Sequence, residues 1–342
     1  MGHPKNNYNY EKGSAEMFRP QTDLAIEVGA IIEDKQENET TLEGVSMQVD
    51  EQKTFKKTHI EIINKHGEEI MGKPIGKYIT IESQSLKENN PEAHKKIIQE
   101  VADIIKSLLP EVDEKLKVLV IGLGNRQATP DTLGPYVTDK VFVTRHLMEF
   151  VPAEIEKNVA NLSSLAPGVM GLTGIETSEI VKGTVEHIKP HCIIAIDALG
   201  ARSASRINTT IQITNTGISP GAGIGNKRKQ LNESTIGCPV IAIGVPTVVD
   251  AATLVNDTMD YLIESMLSET QDATFYQMLK DLGDKEKYSL IKKTITPTIG
   301  NLFVTPKDID EVIMYLGNVI SNAINIAVHP SITIDDINKY AY

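Results

Sequence analysis

The chain has 342 residues, 40% of them hydrophobic and 23% charged, with 34 Lys+Arg against 46 Asp+Glu. This is the composition of an ordinary globular protein, which excludes a disordered, collagen-like or disulfide-scaffold chain. The formal net charge of −12 repels phosphate backbones, so direct binding to nucleic acid is not expected.

The start, Met1 to Tyr10, is polar and lacks the apolar stretch of a signal peptide. No apolar run is expected to reach the roughly 20 residues that span a bilayer, so no membrane association is expected either. The stretch to Gln21 is aperiodic and reads as a tail. Residues 33–54 are acidic and polar and read as a surface loop or insertion.

Ordered structure is expected from His59. His59–Ile63 and Lys77–Glu82 alternate near period two, with NKHGEE between them as a turn, giving a small antiparallel piece. Asn90-Pro91 is a helix opening: Asn caps well and Pro suits the first helical position. Ile97, Ile98, Val101, Ile104, Ile105, Leu108 and Leu109 then form one apolar face.

Three uninterrupted apolar runs follow: KVLVIGLG from Lys117, CIIAIDAL over Cys192–Leu199 and PVIAIGVP over Pro239–Pro246. Such runs mark strands buried on both faces. Helical patterns lie between and after them, at about Leu133–Met148, Ile175–Ile188 and Thr253–Met266. A last helix, opened by Thr305-Pro306, carries Ile309 to Ile324. The alternation predicts a three-layer αβα fold with a mostly parallel central sheet, plus the antiparallel N-terminal piece.

Local motifs mostly fail on mechanism. Gly122-Leu-Gly124 follows a strand, but Gln127 stands where a dinucleotide fingerprint needs its third glycine. The Gly-rich Pro220–Lys227 string lacks the Gly-Lys-Ser/Thr of a phosphate loop. Gly217-Ile-Ser219-Pro-Gly221 spells a nucleophile elbow, but Pro220 has no N–H to give to an oxyanion. His187 and His191 are separated by Pro190 and share no helical face, so no local metal motif exists. Cys192 and Cys238 start apolar runs and are expected to be reduced, buried thiols in a cytosolic compartment. No cofactor is expected.

Asp131 and Asp197 stand apart from the surface acids. Asp131 lies in the loop after the first buried strand, and Asp197 ends the apolar part of the second. Carboxyl ends of parallel strands share one edge, where ligands bind, so these two can meet although 66 positions separate them. Two close carboxylates share a proton, leaving one acid and one base. An Asp at a strand end is also a common turn cap, and spacing alone does not choose.

The strings GLGNRQATPDTLGP (Gly122–Pro135), LAPGVMGLTGIET (Leu165–Thr177), AIDALGARS (Ala195–Ser203), ISPGAGIGNKR (Ile218–Arg228) and AIGVPTVVDAATL (Ala242–Leu254) resemble those of the germination proteases of endospore-forming Firmicutes. FVTPKDID and AVHP resemble that family's tail, and RPQTDLAIE (Arg19–Glu27) its propeptide junction. The resemblance implies an aspartic-type endopeptidase of the forespore and spore-core cytoplasm. Its substrates would be small acid-soluble spore proteins, degraded on germination. It implies a homotetramer and a fold like that of hydrogenase maturation proteases. It also implies a zymogen that removes residues 1–23 by cutting between Asp23 and Leu24, leaving one peptidase domain over 24–342. The catalytic aspartates fall on Asp131 and Asp197, with Gly122, Gly124 and Asn125 shaping the loop behind Asp131. Two alternatives stay open: a metal-dependent peptidase, with His146 as candidate ligand, and a non-catalytic protein that binds spore proteins.

Overall fold

The computed structural model describes residues 24–27, 43–112, 115–148, 159–221, 228–269, 288–291, 293–294 and 302–336. In chain order the main elements are β1 (Val45–Glu51), β2 (Lys56–Ile62), α1 (Lys65–Met71), β3 (Gly76–Glu82), α2 (Pro91–Leu108) and β4 (Lys117–Gly122). Then come α3 (Leu133–Lys140), β5 (Asn161–Leu165), α4 (Thr177–Ile188), β6 (Cys192–Ala201) and β7 (Thr210–Thr214). The last are β8 (Val240–Asp250), α5 (Ala251–Glu269), β9 (Phe303–Val304) and α6 (Ile309–Val328).

The strands form one nine-stranded sheet in the order β1-β2-β3-β7-β8-β6-β4-β5, with β9 beside β8. β5, β4, β6 and β8 run parallel. All the other pairings are antiparallel. The sheet is therefore mixed rather than mostly parallel. The expected N-terminal piece is not separate, because β7 pairs β3 on one side and β8 on the other.

Helices cover both faces, which explains the uninterrupted apolar runs. Along β4, Val118 and Val120 pack into a core with α2, α3 and α6. Leu119 and Ile121 point the other way, to α4 and the single helical turn Glu233–Ile236. β6 divides in the same way, with Ile194 and Ile196 on one face and Ile193 and Ala195 on the other. Each such fully buried Val, Leu or Ile side chain contributes about 1.5–3 kcal/mol.

Asn90 caps α2 as expected, its side-chain oxygen accepting the Ala93 N–H at 3.1 Å. NKHGEE is not a plain turn. Asn64 accepts the Gly67 N–H at 3.0 Å and α1 follows, closed by the left-handed Gly72. α3 stops at Lys140 instead of reaching Met148. Beyond it the Phe142 N–H turns away to the Asn325 side chain of α6 at 2.8 Å. The acidic stretch is not all loop: its last residues form β1, an edge strand whose Met47 and Val49 are exposed. Residues 33–42 lie outside the described residues, as do 1–23. α6 is long and apolar enough to cross a membrane, contrary to the expectation that no segment is, but most of it is buried as the core helix against α2.

Both cysteines are free and buried, and burial pushes their thiols up to about 12 for Cys192 and about 11 for Cys238. They are inert packing groups. His329, fully buried behind α6, has Nε2 3.0 Å from the Phe142 carbonyl, and burial lowers its pKa to about 4. The unfolded chain takes up this proton near pH 6.5, well before the folded one does. Stability is therefore full above about pH 6.5 and falls as pH drops toward 4, by up to roughly 3 kcal/mol from this group. Melting temperatures between pH 7 and 4 should fall more steeply for the wild type than for His329→Gln. Parallel slopes would mean that the histidine adds nothing.

Candidate active site

The carboxyl end of β4 is tied to β6 one residue beyond the strand, where the Leu123 N–H donates to the Ile196 carbonyl at 2.8 Å. This fixes the loop after β4 beside Asp197. The loop doubles back through a short 3-10 turn, Thr129–Asp131, into α3. α3 approaches so closely that a Cβ on Gly122 would stand 2.2 Å from the Gly134 carbonyl oxygen.

Asp131 is partly buried, and its Oδ2 accepts the Asn125 N–H at 2.8 Å. Gly124 makes this possible. Its φ is +118°, and a Cβ there would lie 2.0 Å from the Asp131 carbonyl oxygen and 3.1 Å from Oδ1. Burial raises the Asp131 pKa to about 6, against the Asn125 N–H and the Arg228 guanidinium, which both favour the carboxylate. Asp197 is 4% exposed, pairs with Gly244 of β8, and accepts its neighbour Ala198's N–H at Oδ1, 3.0 Å away.

Asp131 and Asp197 line one cavity of about 70 Å³, together with Gly124, Val169, Thr177 and Arg228. One water needs roughly 10–15 Å³ of such space, so the cavity has room for water. A carboxylate able to keep its proton near neutrality, a second carboxylate, a cation and room for water are the parts of an acid/base hydrolytic site.

Of the residues expected at the site, Gly124, Asp131 and Asp197 line the cavity, Asn125 holds Asp131, and Gly122 admits α3 from behind. His146 does not come here; it is exposed on the turn Arg145–Leu147. Among the described residues no three His, Cys, Asp or Glu side chains converge as a metal site. Asp131 and Asp197 therefore have no third such side chain beside them among the described residues, and no step is derived through a metal. Leu24 is fully buried, while Asp23 lies outside the described residues. Pro220 lines the cavity and Ser219 a neighbouring one, so the elbow-like string forms part of two cavity walls. Arg228 and Thr177 escaped the sequence reading. The only signal for Arg228 was the cationic end, NKR, of a Gly-rich string.

Fold and site together define an α/β protein with a pair of carboxylates where β4 ends beside β6. The sequence pattern of the family described as "Germination protease" matches residues 25–274 and 264–341, and the chain belongs to that family. It is accordingly a peptidase of spore germination. A germination protease of Clostridium tetani is 46% identical over 321 residues, 94% of this chain and 98% of that protein. One from Caldanaerobacter subterraneus is 43% identical over 93% and 97% of the two chains. One from Bacillus pumilus is 39% identical over 94% and 97%. A NiFe hydrogenase maturation protease of Thermococcus kodakarensis aligns over 42% of this chain and 80% of its own, at 17% identity and a TM-score of 0.26, too weak a likeness to carry an argument.

Proposed function

We propose that the chain is an endopeptidase that degrades small acid-soluble spore proteins on germination, using Asp131 and Asp197 as an acid/base pair. The observation that carries the proposal is the shared, water-sized cavity lined by both carboxylates. One aspartate takes a proton from a water that attacks the scissile carbonyl. The other, protonated, hydrogen-bonds the carbonyl oxygen and then supplies a proton to the leaving nitrogen. The pKa of Asp131, raised by burial to about 6, supports it as the group that keeps the proton. Arg228, on the cavity wall, would stabilise the oxyanion in a site where the neighbouring Pro220 offers no N–H.

The enzyme would work in the forespore and spore-core cytoplasm as a homotetramer, without binding DNA itself. It would be made as a zymogen that cuts its own chain between Asp23 and Leu24, releasing residues 1–23. Leu24, Ala25 and Ile26, which would follow the cut, are buried against the domain, so the new terminus would stay attached to it. N-terminal sequencing after incubation tests the proposal. A new terminus at Leu24 is expected in wild type and not in Asp131→Asn. A stable Met1 terminus in a fully active enzyme would contradict it.

A further inference from the structure

Helix α4 meets the cavity of the carboxylate pair at its first residue, Thr177. Val181 and Val185 of this helix pack into the core with Leu119 and Ile121 of β4, so α4 is fixed to the sheet. Thr177, Val181 and Val185 stand at i, i+4 and i+8, on one helical face, and all three are buried. The Thr177 hydroxyl donates to the Gly168 carbonyl at 3.3 Å. Gly168 and Val169 line the same cavity as Thr177, Asp131 and Asp197. Gly168, at a φ of +73°, turns the chain after β5. Beyond Val169, every residue from Met170 to Ile175 is exposed. The backbone bonds of this stretch close on itself: the Leu172 and Thr173 N–H groups donate to the Val169 carbonyl at 2.9 and 3.1 Å, and the Gly174 N–H to Met170 at 2.8 Å. The cavity wall Gly168–Val169 thus continues into a stretch with little hold on the core, and the Thr177 hydroxyl ties it to a helix that has one.

We infer that Thr177 is a positioning residue of the hydrolytic reaction: its hydroxyl carries the fixed position of α4 across to Gly168 and sets where the Gly168–Val169 wall stands against Asp131 and Asp197. This role rests on the peptidase reading of the carboxylate pair. A wall that faces two reacting carboxylates decides how a scissile carbonyl is held between them, and a misplacement of about 1 Å costs on the order of a hundredfold in rate. The β-branched side chain has few rotamers in a helix, so the hydroxyl stays aimed at its carbonyl. Without the O–H, the Gly168 carbonyl loses this donor and the wall is free to follow the exposed stretch outward. The effect belongs in kcat rather than KM, because the wall acts at the reacting bond and leaves the rest of a bound peptide alone.

Thr177→Val and Thr177→Ser separate the hydroxyl from the space that the side chain fills. Val keeps the volume and loses the O–H; Ser keeps the O–H and loses the methyl. Initial rates on a small acid-soluble spore protein are measured with the full-length chain after incubation, per folded molecule. Thr177→Val should lose about tenfold or more in kcat with KM within about twofold, and Thr177→Ser should stay within about twofold of wild type in both. A packing role alone predicts the reverse order, because Ser is the variant that leaves a hole. Wild-type kcat in Thr177→Val, or a change confined to KM, would overturn the inference. So would a loss of about tenfold in kcat in Thr177→Ser, a result that decides the matter even where Thr177→Val does not fold. A fault in the peptidase reading would show separately, as hydrolysis that survives Asp131→Asn whatever order the two Thr177 variants take.

Discussion

Asp131→Asn is expected to reduce hydrolysis by several orders of magnitude while making the protein more stable at neutral pH. The amide keeps the shape and can still accept the Asn125 N–H, but it cannot exchange a proton with water or a leaving group. The stability gain follows from burial. The Asp131 pKa is raised to about 6 from 3.8. The unfolded chain loses this proton as pH rises through 3.8, while the folded chain keeps it until about 6. Folding is therefore penalised progressively across that window and fully above it. The melting temperature of Asp131→Asn should exceed that of wild type at pH 7.5, and the gain should vanish below about pH 4. Equal melting temperatures at pH 7.5 would remove the buried-carboxylate argument. More than about a tenth of wild-type activity would remove Asp131 from the mechanism.

Gly124→Ala should damage the site through the backbone alone. The new Cβ would sit 2.0 Å from the Asp131 carbonyl oxygen, at a φ of +118° that side chains rarely adopt. Strain of this kind costs about 1–3 kcal/mol before the clash is counted. The loop can relieve the clash only by moving Asp131. A displacement of about 1 Å in a reacting group costs on the order of a hundredfold in rate. Gly183→Ala is the control: it lies within α4, where an added Cβ would meet nothing inside 4 Å, and should stabilise by about 0.5–1 kcal/mol without touching kcat. Similar kinetics for the two variants would show that the Gly124 turn does not set the geometry of Asp131.

The residues of the site differ in how far the sequence reveals them. Asp131 was legible because β4 is covered on both faces and its apolar run ends abruptly where the chain leaves the core; Asp197 was legible as the charge within the apolar run of β6, but it does not end that strand, which continues beside β8 to Ala201. Arg228 was not, because it reaches the cavity from a segment far along the chain, and only the folded arrangement brings it there. Strand β7, TIQIT, is short and half polar, yet it joins the antiparallel and parallel halves of the sheet. Without it the sequence suggests a mostly parallel sheet with a detached hairpin. β1 hides in an acidic stretch for a related reason. As an exposed edge strand it needs no apolar face, and its charges guard that edge against pairing with other chains. Ala25–Glu27 are helical, and the placement of Leu24–Glu27 rests on Gln212, Arg202 and Ser203, which are distant in sequence.

The most direct test of the carboxylate pair falls on its other member. A small acid-soluble spore protein is incubated with the chain lacking residues 1–23, as wild type and as Asp197→Asn with matched melting temperature, and the products are followed by mass spectrometry over time. The pair predicts discrete fragments from the wild type and intact substrate from the variant throughout. The same fragments appearing from Asp197→Asn at a comparable rate would contradict it.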